Sequence, residues 1–213
     1  MKKSQHEVCG GITIDAEFER RTLRANRVLV LTGDLESGSA REFIEDIKML
    51  LLEDSTDPIT ITISSPGGNV FCGIAVIRAI RSVQSRGIKV FGDVHGQAMS
   101  MAFFILQCCD ERRMGSFCTL MAHGITTGFI GDMRNVEAEQ KLLTFWQREI
   151  AQLIANRCTA EGTEYAEIGY WFAILKDNTP QFYDSQESKE MGLIDTVYDD
   201  NKNQKNTPKS DSS

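Results

Sequence analysis

The chain has no surplus of positive charge: 23 lysines and arginines stand against 30 aspartates and glutamates, a formal charge of −7 over 213 residues. Such a balance repels phosphate backbones and provides no basic stripe for nucleic acid or anionic lipid. No nucleic acid and no membrane are therefore expected as partners; proteins or small molecules are. Long apolar runs are missing too, since no window approaches the ~18 to 20 apolar residues needed to cross a bilayer. The opening "MKKSQHEVCGG" has two lysines but no apolar stretch behind them, so no secretory signal is read there and a soluble, cytoplasmic protein is expected. Six cysteines (Cys9, Cys72, Cys108, Cys109, Cys118, Cys158) show neither CxxC nor Cys/His ligand spacing. That pattern suits reduced, packed thiols and excludes a zinc site or disulfide framework from the expectations; no metal and no cofactor are called for. Internal repeats are absent, and the length suits one full-sized core and one site, not two average domains.

What is present is a repeating order of elements. "RVLVLTG" (27–33) reads as a buried strand, and the Ser39-x-x-Glu42 pattern as a capping box opening a helix with Phe43, Ile44, Ile47, Leu50 and Leu51 on one face. "ITITIS" (59–64) alternates as a strand, "SPGGN" breaks it, and Ile74, Ile77 and Ile80 recur at helical spacing in "VFCGIAVIRAIRSV" (70–83). "GIKVFGDVHG" (87–96) is a third strand, "MSMAFFILQCC" (99–109) a buried helix and "FCTLMAH" (117–123) a fourth strand. Successive strand–helix–strand units imply right-handed crossovers and an α/β fold with a mainly parallel sheet wrapped by helices. "NVEAEQKLLTFWQREIAQLIANRC" (135–158) reads as a long helix with Leu142, Trp146, Ile150 and Leu153 on one face and Leu143 and Phe145 beside it. That apolar surface is wider than one neighbour requires, so the helix is expected either to project toward another subunit or to be buried within the chain. The low-complexity "DDNKNQKNTPKSDSS" (199–213) lacks apolar anchors and is expected to be a disordered tail.

Ligands of such sheets gather beyond the carboxyl ends of the strands. Three glycine-rich or polar ends fall there, "SPGGN", "HGQAMS" and "MAHG", and are expected to converge. Ser100 would head a helix after a glycine-containing strand end, but a serine hydroxyl is a weak nucleophile unless a base reaches it. Of the three histidines, His6 lies in the N-terminal segment and His95 on the approach to the turn, whereas His123 ends a strand on the same sheet edge and is the best-placed base. Gly67 and Gly68 can bring bare backbone close, and the Met101 N–H falls in the first turn of the helix; both are devices for holding an oxyanion. Taken singly each has an ordinary explanation: an N-cap, a satisfied surface histidine, a turn. Their order along one sheet edge favours a site.

With "RVLVLTGDLESG", "ITISSPGGNV", "GQAMSMA", "LMAHG", the long helix and "FYDSQESKEMGLID" in this spacing, the chain from about Arg27 to Val197 resembles the proteolytic subunit family of the Clp protease (ClpP). The resemblance implies a serine endopeptidase of ClpP/crotonase-like fold, a ββα-type superhelix with a protruding handle helix (about 124–158) in a peptidase domain (27–198) after an N-terminal segment (1–26). It implies a homo-oligomer of heptameric rings, stacked as a tetradecamer through the handles, acting on unfolded polypeptides, with an ATPase unfoldase as a candidate partner. Ser100 resembles the family's nucleophile, His123 its general base, and Gly68 and Met101 its oxyanion donors. Gly67, Asn69 and Val70 on one side, and Gly124, Ile125 and Thr126 of an expected strand "GITTGFIG" (124–131) on the other, resemble the edges between which an extended substrate adds as a strand. "GYWFAILKDNTP" with "FYDSQESKEMGLID" gives the chain a likeness to phage-borne relatives.

Three departures bear on that expectation. Ungapped alignment back from "GLID" puts the family's triad aspartate at Pro180, which cannot orient an imidazole; Asp177 in "LKDNTPQF" is the preferred substitute, Asp184 is weaker, Asp195 lies in a structural turn, and the acid could be absent. Ala102 stands where the family usually has glycine, and "MKKSQHEVCGGITIDAEFERRTL" does not clearly reproduce the family's axial-loop segment, so that segment gives no support of its own for regulation by a hexameric ATPase. Alternatives therefore remain: a catalytically weakened structural or regulatory subunit, a dedicated phage capsid maturation protease, and, further off, an acyl-CoA enzyme of crotonase type or a serine–lysine peptidase, the last without a lysine between Lys89 and Lys141.

Overall fold

The computed structural model describes residues 5–8, 12–126, 133–160 and 162–198, with side chains from residue 16 onward except 127–135. The expected tail (199–213), Cys9 and most of the expected strand 124–131 thus lie outside the described residues or at their margin.

A two-stranded hairpin, β1 (Gln5–Val8) and β2 (Ile12–Asp15), runs into α1 (Ala16–Ala25). Three strand–helix units follow: β3 (Val28–Leu35) and α2 (Ser37–Leu50), β4 (Ile59–Gly68) and α3 (Val70–Gln84), β5 (Val90–Met99) and α4 (Met101–Leu106). Then come β6 (Glu111–Gly115), β7 (Thr119–Ala122), the long α5 (Met133–Arg157), α6 (Ile168–Asp177), β8 (Gln181–Tyr183), α7 (Ser185–Glu190) and β9 (Thr196–Tyr198). Strands β3-β4-β5-β6-β9 form a parallel sheet, as the strand–helix repeat predicts.

Strand β5 carries two partners in turn. Phe91–Val94 pair with β6, whereas Gln97–Met99 pair with β7, and β8 closes antiparallel on β7. Between the two halves Gly96 adopts φ 103, and the register against β4 jumps from Ile63↔Val94 to Ser65↔Ala98. The bulge redirects the strand, a common device beside functional sites. It also leaves His95 exposed, with its ring 5.7 Å from that of Tyr198.

The core follows the sequence periods. In β4, Ile59, Ile61 and Ile63 are buried while Thr60 and Thr62 are only partly so, and all six residues of α4 are buried. In α3 the fully buried face is Gly73, Val76, Ile80 and Val83, with Ile74 and Ile77 on its flank. Gly73 sets that face because a Cβ there would lie 2.2 Å from the Met101 side chain, so the missing side chain lets α3 close on α4.

Several expectations need correction. The helix after β3 begins at Ser37, so Ser39 is not its N-cap; from the first turn its Oγ accepts the Glu36 N–H at 3.0 Å. "SPGG" does not break β4, because Gly67 and Gly68 continue the ladder opposite Asp34 and Leu35. Residues 124–126 are not a strand. Helix α1, inside the stretch read as an N-terminal segment, is tied to α2 by Arg20 and Arg24, which grip Asp46 at 2.7 and 2.6 Å. Helix α5 divides along its length: Ile150, Ala151, Ile154 and Ala155 are buried, while Leu142 and Phe145, nearer its start, are exposed.

Candidate active site

The ends of β4, β5 and β7 do converge. The Ser100 N–H donates to Met121 O at 2.8 Å, which locks the turn after β5 to the end of β7. A Cβ on Gly67 would lie 2.6 Å from Met99 O and 2.8 Å from both Met101 N and Ser100 Cβ, so this glycine is what lets the β4 end touch the turn. Gly68, at φ 146, is pressed as closely on Leu35 of β3. Ser65, fully buried, braces the bend: its Oγ donates to Gly33 O and accepts the Gly67 N–H.

Ser100 sits between β5 and α4 at φ 52, ψ −122, a left-handed conformation unusual for a residue with a side chain. A serine held this way at a strand-to-helix turn projects its Oγ beyond the sheet edge, while the helix behind it directs its first N–H groups toward the same space. Here the space is a cleft of about 200 Å³ whose walls include Gly68, Ser100, Met101, His123 and Thr126. Ser100 and His123 share that cleft without a hydrogen bond joining them among the described contacts, the loose arrangement common in unliganded sites.

The edges named from the sequence have mixed fates. The Asn69 side chain is spent on capping α3, accepting the Phe71 and Cys72 N–H groups at 2.9 and 3.1 Å, and Val70 is the first residue of that helix. Among the described residues, β4 beyond Ser65 pairs only with β3, which leaves its end open on the cleft side there. Gly124 does not extend β7: a Cβ there would sit 2.0 Å from Leu175 O, because the residue is wedged against the end of α6. Ile125 packs partly into the core, and exposed Thr126 reaches the cleft.

The carboxylate sought beside His123 is not Asp177. That residue ends α6 and is exposed, while the next one, Asn178, takes the left-handed C-cap at φ 62 and places Oδ1 3.4 Å from His123 Nδ1. Asp184 is remote from this role, since its carboxylate caps α7 by accepting the Glu187 N–H at 2.8 Å. Asp195 is engaged with Arg112, whose Nη2 donates to it at 2.7 Å. The signal for Asn178 was available in the sequence: asparagine is, after glycine, the residue best suited to end a helix in the left-handed conformation. Among the described residues no three His, Cys, Asp or Glu side chains gather as a metal site, and no helix is long and apolar enough to cross a membrane.

A mixed α/β domain with a mostly parallel sheet and a strained serine at a strand-to-helix turn defines the structural class. Comparison with known proteins makes it specific. The Clp protease family model matches residues 16–201. The chain is 27% identical over 186 residues to the ATP-dependent Clp protease proteolytic subunit 1 of Corynebacterium jeikeium, covering 86% of this chain and 92% of that one. It is 30% identical over 183 residues to the ATP-dependent Clp protease proteolytic subunit of Chlorella vulgaris, covering 84% and 85%. A third relative, proteolytic subunit 1 of Streptomyces avermitilis, is 28% identical over 178 residues, covering 82% and 76%. The chain belongs to the Clp protease family.

Proposed function

We propose that the chain is a serine endopeptidase in which Ser100 is the nucleophile, His123 the general base, and the N–H groups of Gly68 and Met101 the oxyanion donors. The observation that carries this reading is Ser100 itself, held in a strained turn at the head of α4, in one cleft with His123 and against the bare backbone of the β4 end. In the reaction, Ser100 Oγ attacks the peptide carbonyl as its proton passes to His123 Nε2, and the carbonyl electrons are held as an oxyanion against the two N–H groups. Collapse breaks the C–N bond, and His123 returns the proton to the departing amine. Water activated by the same imidazole then releases the acyl group. The open end of β4 gives an extended substrate a strand edge to join, a mode that reads backbone more than side chains and suits unfolded polypeptides.

The relatives are named as proteolytic subunits of ATP-dependent proteases. Ring assembly of this chain through α5, whose Leu142 and Phe145 are exposed, follows from that kinship as a proposal, as do an ATPase unfoldase partner and a cytoplasmic location. A second reading, a family-like subunit with structural or regulatory duty, draws on the neutral amide that meets His123 where a carboxylate would be expected. One experiment separates the two. A fluorophosphonate probe is expected to label the parent protein, and a short fluorogenic peptide to be cleaved by it. Ser100→Ala is expected to eliminate both, and His123→Ala to lower both by at least ~10³-fold. Equal labelling of the parent and Ser100→Ala would overturn the enzyme reading, and no labelling or cleavage by the assembled parent would favour the subunit.

A further inference from the structure

We infer that Asn178 is the positioning residue for His123, doing with a neutral amide what a carboxylate does in a serine–histidine–acid triad; this rests on the serine-peptidase reading above.

The Asn178 amide lies between two partners. Thr126 Oγ1 stands 3.3 Å from Nδ2 and 3.5 Å from Oδ1, and Oδ1 stands 3.4 Å from His123 Nδ1. An amide oxygen only accepts, so Nδ1 must carry the proton and Nε2 keeps the lone pair that deprotonates Ser100. The backbone is built for this placement. Asn178 closes α6 in the left-handed conformation (φ 62, ψ 12), with its N–H on Ile174 O at 3.2 Å. The approach depends on Gly124, the residue after His123, where a Cβ would lie 2.9 Å from Asn178 Oδ1 and 2.0 Å from Leu175 O. From the far side Gln147 of α5 donates to the same Leu175 carbonyl at 3.0 Å, so the end of α6 is held from two directions.

The arrangement supplies orientation without charge. Among the described residues lining the cleft, His123 is the one titratable side chain; Phe71, Phe104 and Thr126 are among its neutral neighbours. Around it, Asn178 at the end of α6 contacts His123, Gln181 of β8 pairs opposite Ala122, and Gln147 of α5 donates to Leu175 O; Asp177, exposed, precedes Asn178, and Asp34 and Glu36 line the adjoining depression. A neutral partner fixes the tautomer but does not stabilise the imidazolium as a full negative charge would. Exchanging this amide for a carboxylate should therefore change how far hydrolysis persists into acid.

Two substitutions preserve the backbone and test this. Glycine adopts the left-handed cap freely, so Asn178→Gly removes the amide alone; aspartate tolerates the same conformation, so Asn178→Asp exchanges neutral for charged. With kcat/KM for a fluorogenic peptide followed against pH, Asn178→Gly is expected to lose ~10²-fold at the plateau. Asn178→Asp should recover most of that loss, with its acid limb moved up by about one pH unit or more. A merely structural asparagine would not move the limb. Asn178→Gly turnover within about threefold of the parent, or an unmoved limb in Asn178→Asp, overturns the inference while Ser100-dependent hydrolysis stands. Hydrolysis that survives in Ser100→Ala would instead remove the peptidase reading and this inference with it.

Discussion

At the scale of single residues, the site is held at a cost in stability. Ser100 adopts φ 52, ψ −122, the first-corner geometry of a type II′ turn, which glycine dominates. Forcing a side chain there costs roughly 1–3 kcal/mol, and glycine would give part of that back as extra freedom in the unfolded chain. Ser100→Gly is therefore expected to unfold at higher denaturant concentration than Ser100→Ala, by about 1 kcal/mol, with both variants inactive. Equal stability of the two in urea would show the turn to be unstrained. The same scale shows what the sequence yielded and what it hid. That Ser100, His123, Gly68 and Met101 share one cleft was legible because the strand order puts three strand ends on one edge. Asn178 was not, because a triad calls for a carboxylate and the neighbouring Asp177 offered one; a shift of one residue at a helix end decides which side chain meets His123.

Elements with a clean period were readable, and those whose burial depends on distant partners were not. The alternation of β4 and the apolar block of α4 reappear as drawn, whereas β6 (Glu111–Gly115), "ERRMG", has no apolar pattern to mark it as a core strand. Its inward Arg112 is fully buried only because Asp195, far along the chain, meets it. Helix α6 was missed for a similar reason: its buried face rests on one large side chain. Trp171 is fully buried between Phe103 of α4 and Tyr183 of β8, with ring centroids 6.4 and 6.3 Å away, and its Nε1 donates to Tyr165 O at 2.7 Å. This contact couples the helix that follows Ser100 to the helix that carries Asn178. Trp171→Phe keeps an aromatic ring but deletes volume and the hydrogen bond, and is expected to cost about 2 kcal/mol by chemical denaturation. A cost below ~0.5 kcal/mol would show that α6 is anchored elsewhere.

At the scale of the whole molecule, the turn before β9 is fastened to the sheet by a charge cluster that should govern stability in acid. Arg112 donates through Nη2 to one Asp195 oxygen at 2.7 Å and through its backbone N–H to the other at 2.7 Å, and its Nη1 reaches Gln107 Oε1 at 2.7 Å. Gln107 in turn donates to Leu193 O at 3.1 Å, so the end of α4, β6 and the turn before β9 form one network. Burial alone would raise the Asp195 carboxyl, but the Arg112 hydrogen bonds and charge outweigh it and hold the group below its ordinary range. A carboxyl depressed in the folded state contributes stability above its unfolded pKa, and that contribution is lost as pH falls through the folded value. Asp195→Asn keeps the shape but leaves the buried guanidinium without its counter-charge, and is expected to cost about 3 kcal/mol at pH 7. The gap between parent and variant should narrow between about pH 5 and pH 2, as the parent's own carboxyl takes up its proton. Urea midpoints measured across that range check the sign. A gap that stays constant into acid would mean that Asp195 contributes through packing and not through its charge, and that the parent's loss of stability in acid begins at other carboxylates.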